Sequence, residues 1–81
     1  MIVYVLCEVI TAGRADAHPE MQAILASLEV AKTYADRRQT RVVRFDQPWV
    51  EVEEDIWTRK SIPTRAGVVH EQTIEAWIVI A

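Results

Sequence analysis

The first and last apolar segments of this chain have no face that belongs in water. In residues 2–10 the odd positions are Val3, Val5, Cys7 and Val9, and the even positions are Ile2, Tyr4, Leu6, Glu8 and Ile10. In residues 73–80, Ile74, Ala76, Ile78 and Ile80 alternate with Glu75, Trp77 and Val79. Strand side chains point alternately to the two sides of a sheet. Both segments therefore read as central strands that need cover on both sides. The chain has only 81 residues to supply that cover. A chain of this size buries roughly 60% of its unfolded surface, so residues 1–81 are expected to form a single domain with one sheet and one helix.

Between the two segments the pattern is mixed. Residues 11–19 read as a connection punctuated by Gly13 and Pro19. Residues 20–38 admit two readings. One is a long helix that starts at Pro19 and carries Met21, Ile24, Leu25, Leu28, Ala31 and Ala35 on one stripe. The other is a strand over Glu20–Ala26, followed by a helix that Ser27 caps and that runs from Leu28 to about Arg38. Arg41–Asp46 reads as a strand and Pro48 interrupts it. Trp49–Glu53 alternates again, and Ile56–Arg59 continues it or returns as a hairpin arm. Residues 60–72, with Pro63 and Gly67, read as a long exposed loop. The expected class is α+β: a small antiparallel sheet of three to four strands with one main helix packed on one face.

The order of these pieces resembles a loose group of small bacteriophage-type α+β proteins. The resemblance rests on the opening strand Val3-Tyr4-Val5-Leu6, the helix start Ser27-Leu28-Glu29-Val30-Ala31-Lys32, and the closing Ile74-Glu75-Ala76-Trp77. Some small anti-CRISPR proteins are similar in layout. The resemblance implies a fold and a phage origin, and it brings no catalytic residues.

Composition narrows the chemistry. The formal net charge is −3, so nucleic acid is an unlikely partner. The single cysteine rules out an intrachain disulfide, and Cys7 inside an apolar run reads as a small buried residue. No lysine or arginine precedes the first apolar run, so no signal peptide is expected. No apolar stretch reaches the length of a membrane span, so no membrane partner is expected and cytoplasmic is the default location. His18 and His70 stand apart, and His70-Glu71-Gln72 lacks the second histidine of a metalloprotease motif. No metal, cofactor or catalytic residue is expected, because no nucleophile sits with a base and an orienting acid.

What remains is surface. Glu51, Glu53, Glu54 and Asp55 form an acidic run, and Arg37, Arg38, Arg41 and Arg44 a basic one. The plain reading of both is solvated surface. The sharper reading is a patch for a charged partner. If the helix covers Val3, Val5, Val9, Ile74, Ile78 and Ile80, then Tyr4, Leu6, Trp77 and Val79 are left as a protein interface. The leading expectation is a non-enzymatic, homodimeric interaction protein, with a host or phage protein as a further partner. An inhibitor of a bacterial defence complex is one version. The second is a small-ligand or nucleotide-binding module, with its site at a subunit interface lined by Trp and Arg. A cryptic enzyme ranks third.

Exposed ion pairs are typically worth under about 1 kcal/mol. Neutralising Glu51, Glu53 and Glu54 together is therefore expected to leave the melting temperature nearly unchanged. A large drop in a thermal melt would show that these carboxylates serve the fold.

Overall fold

A computed structural model describes residues 1–11 and 18–80. It contains β1 (Ile2–Thr11), β2 (Glu20–Leu25), α1 (Leu28–Asp36), β3 (Val50–Glu53), β4 (Ile56–Lys60) and β5 (Val69–Ile78). The strands form one five-stranded sheet in the order β2-β1-β5-β4-β3, with every neighbouring pair antiparallel. The single helix and antiparallel sheet agree with the sequence reading, and the strand count exceeds it. β1 and β5, which hold the first and last apolar segments of the sequence, lie side by side inside the sheet.

The second reading of residues 20–38 holds, in a shorter form. Glu, Met, Gln, Ala and Leu are good helix formers, yet Glu20–Leu25 pairs with β1. Sheet pairing overrides local propensity here. Ser27 is extended, and its Oγ accepts a hydrogen bond from Val30 N at 3.2 Å, which starts α1 at Leu28. The helix places Ala31 and Ala35 one turn apart against the sheet, both fully buried. Small side chains there let the helix axis lie close to Leu6 and Ile74, the other buried members of the core. Tyr4, Leu25, Leu28, Trp49 and Trp57 pack around this centre.

Two expectations are corrected. Arg41–Asp46 is not a strand. Its backbone is held by side chains instead: Val43 N donates to Thr40 Oγ1 at 3.0 Å and Phe45 N to Gln39 Oε1 at 3.1 Å. The long loop is also shorter than expected, because β5 already begins at Val69. His70, Glu71 and Gln72 look like loop residues, but each has a polar partner within the fold.

The segment from Arg37 to Trp49 crosses from the helix to the far edge of the sheet. It brings Phe45 and Trp49 over Arg59 of β4, with each ring centroid 4.6 Å from the guanidinium carbon. The same guanidinium donates through Nε to Gln72 Oε1 at 2.8 Å. Its Nη2 lies 2.8 Å from Asp36 Oδ1 as an ion pair, although the N–H is not aligned for a hydrogen bond. Gln72 in turn donates to the carbonyl of Ala35 at 3.2 Å, which ties the end of α1 to β5. The helix covers β2, β1 and β5, and this crossing segment covers β4. One face of the sheet is thus roofed from β2 to β4, while the edge strand β3 stays exposed.

Lysine cannot reproduce the planar fork that serves Gln72, Asp36 and two rings at once. Arg59→Lys is expected to cost about 2 kcal/mol in denaturant unfolding, with a change in tryptophan emission as Trp49 loosens. A variant as stable as the parent would show that the crossing segment is held by other contacts.

Candidate functional site

The register sorts the sheet residues onto two faces. Leu6 pairs with Ile74, Glu8 with Gln72 and Tyr4 with Ala76, and on β4 Trp57 pairs with Ile74 and Arg59 with Gln72. These lie on the helix face. Val3 pairs with Trp77, Val5 with Glu75 and Cys7 with Thr73, and on β4 Ile56 pairs with Glu75. These lie on the opposite face. The pairing of β2 with β1 skips Gln22, so Met21 pairs with Cys7 and joins the second face. Among the described residues, α1 and the crossing segment lie on the other side, but Val5 at the centre of this face is buried and Pro19 lines a small cleft there with Cys7 and Val9.

The four expected interface residues are therefore not one patch. Leu6 is fully buried beneath the helix, and Tyr4 lies on the same side with its ring 6.3 Å from that of Trp57. Trp77 is 55% exposed on the helix-free face, and Val79 follows β5 as an exposed residue. The expectation joined the odd side of β1 to the Ile74 side of β5, whereas Leu6 and Ile74 are partners. The helix-free face instead presents Val3, Val5, Cys7 and Val9 of β1, Ile24 and Met21 of β2, Ile56 of β4 and Trp77 of β5. Trp77 is held against it by a hydrogen bond from Nε1 to Glu75 Oε2 at 2.9 Å.

The charged runs also divide. Glu51 pairs with Trp57 on the helix side, while Glu53 pairs with Ile56 on the helix-free side, after a bulge. Glu54 and Asp55 form the β3–β4 turn, in which Asp55 takes a positive φ of 64°. Arg37 and Arg38 follow α1, and Arg41 and Arg44 lie in the irregular crossing segment rather than on a strand. The three tryptophans part company too: Trp49 and Trp57 serve the core and Trp77 does not. Trp49 meets Arg59 inside the fold, and Trp77 lies on the face away from it.

A polar cluster that the sequence does not announce sits on the helix face. Glu8 Oε1 is 2.8 Å from His70 Nδ1, and Glu8 Oε2 accepts from Arg38 Nε at 3.0 Å. An ionised carboxylate only accepts, so Nδ1 carries the proton. Burial alone would push the Glu8 carboxyl up, but the hydrogen bonds and charges of His70 and Arg38 outweigh it and hold the carboxyl below its ordinary range. Glu8 also lines a cleft of about 270 Å³ with Ile10, His18, Glu20, Gln22 and Arg38. The one available signal was Glu8 itself, a carboxylate inside an apolar strand that requires partners. The cleft has no Ser, Thr or Cys nucleophile in its wall, and no three metal-ligating side chains converge among the described residues. Cys7, on the other face, is a weak nucleophile: burial and the Glu75 carboxylate both push its thiol up.

No known protein family, curated protein or solved structure matches the chain. No helix among the described residues is long and apolar enough to cross a membrane.

Because Glu8 titrates lower in the folded chain than in the unfolded one, the folded state favours its charged form. That contribution is fully present above the ordinary carboxylate value of 4.5 and is lost as pH falls through the depressed folded value. Glu8→Gln is expected to lower stability at neutral pH by roughly 2 kcal/mol and to flatten the acid limb of a stability–pH curve. Parallel curves for parent and variant below pH 5 would count against this assignment.

Proposed function

We propose that this chain is a non-enzymatic protein-interaction module that docks a partner chain on its helix-free sheet face. The single observation that supports this most is the one-sided roof. The helix and the crossing segment lie on the face of Leu6 and Ile74, while on the other face Trp77, Ile24 and Met21 are each more than half exposed. Apolar faces left this way are typical of interfaces.

Size is consistent with that role. At about 3.3 Å per residue and 4.8 Å between strands, the five strands span a face of roughly 550 Å². A partner of equal area brings the total to about 1,100 Å², just above the roughly 1,000 Å² that a specific interface needs. Exposed tryptophan is a frequent anchor of such surfaces. The resemblance in segment order to small bacteriophage-type proteins, read from the sequence, is the ground for a host or phage protein as the partner. A second copy of this chain, as in the homodimer expected from the sequence, is the other protein occupant the face admits. A nucleotide-binding role draws less support, since Trp77 and the arginine run lie on different sides of the sheet.

A photo-crosslinking residue placed at Thr73 or Trp77 is expected to trap a partner in cells of the source organism. The same residue at Thr33 or Tyr34 on the outer helix surface is expected to trap none. Trp77→Ala should keep a melting temperature within a few degrees of the parent, because its ring is outside the core. Crosslinks confined to the helix, or unfolding of Trp77→Ala, would overturn this reading.

A further inference from the structure

Charge on the helix-free face narrows what it can hold, given that the face is a docking surface. One register row crosses the sheet as Glu53, Ile56, Glu75, Val5 and Ile24. Glu53 and Glu75 flank Ile56, roughly 10 Å apart at ordinary strand spacing. Trp77 and Val3 form the adjacent row. The turn bearing Glu54 and Asp55 lies at this end as well, since the Asp55 carbonyl accepts from Ala76 N at 2.9 Å. Two rows away stand Lys60, Glu71 and Val9, with Lys60 Nζ 3.7 Å from Glu71 Oε2. Among the described strand residues, this face carries Glu53, Glu71 and Glu75 against the single cation Lys60. Among the described arginines, Arg38 is bound to Glu8 and Arg59 to Gln72, both on the helix face.

We infer that the occupant is a basic protein segment that sets Lys or Arg side chains among apolar ones. Its cations meet Glu53 and Glu75, and its apolar side chains cover Met21, Ile24 and the partly exposed Val3. The Trp77 ring, steadied by Glu75, adds a π surface for a cation. A second copy suits the face less well, because it brings three more carboxylates and one lysine already engaged by Glu71. Nucleic acid is repelled by the same row.

Short synthetic peptides that alternate leucine with lysine, serine or glutamate test this by titration calorimetry with the full chain. The lysine peptide is expected to bind about ten-fold tighter than the serine peptide at low salt, and the glutamate peptide not to bind. Glu53→Gln with Glu75→Gln should abolish that preference. Glu29→Gln with Glu51→Gln removes equal charge from the helix side and should leave the preference within about two-fold. Trp77→Ala should weaken all binding. Equal, Trp77-dependent affinity for the lysine and serine peptides would overturn the basic partner and leave the docking face intact. Equal loss from both double variants would also overturn it, by reducing the effect to net charge. A third overturning result is failure to bind any peptide while Cys7 becomes protected from a thiol reagent as protein concentration rises; the occupant is then a second copy. Failure of all peptides with Cys7 accessible at every concentration would overturn the docking face as well.

Discussion

The ladder between β1 and β5 joins two distant parts of the chain through ten consecutive residue pairs, from Ile2–Ile78 to Thr11–Val69. β1 is apolar on both sides over most of its length and is not suited to a sheet edge, whereas β5 carries Glu71, Thr73 and Glu75 on its helix-free side. Their pairing puts them in the second and third places of five, and the more polar, shorter strands take the rims. It also sets which side chains share a face. With Leu6 opposite Ile74, the helix finds its floor, and Glu8 comes beside Gln72 and within reach of His70.

A second dependence runs through Arg59. A core built around Leu6, Ala31, Ala35 and Ile74 is small, and the helix alone does not span five strands. A buried cation extends the roof: it collects Phe45 and Trp49 from an irregular segment, Gln72 from the sheet and Asp36 from the helix end. Polar groups here do what apolar volume does in a larger domain, and they fix a single arrangement because each needs its own partner.

Much of this was legible in the sequence. The opening and closing strands and the helix over Leu28–Asp36 follow from alternation and periodicity, while the Ser27 cap and the returning arm at Ile56 were each one of two readings the sequence admits. Register did not, because alternation within one strand does not say which of its faces meets which face of another. That is why Tyr4 and Leu6 were grouped with Trp77, although they lie on opposite sides of the sheet. Arg41–Asp46 has the composition of a strand, but its backbone groups bond to Gln39, Thr40 and, through the Arg44 carbonyl, Ile62 rather than to a sheet edge. His70-Glu71-Gln72 has the composition of a loop, yet Glu8, Lys60 and Arg59 meet those polar groups inside the sheet. For His70 the deciding partner, Glu8, is 62 residues away in the chain.

The span of the central ladder has a bearing on synthesis. Thr11 and Val69 are neighbours in space but 58 residues apart in sequence. At ordinary translation rates of roughly 5–20 residues per second, β1 emerges from the ribosome about 3–12 seconds before its long partner. In that interval only β2 is available to pair with it, and neither of its faces has its final surroundings. A nascent strand with Val, Ile, Leu and Tyr on both sides is a natural client for a holding chaperone and a natural seed for misassembly. The same symmetry of hydrophobicity that makes β1 a good central strand leaves it most in need of protection while the chain is being made.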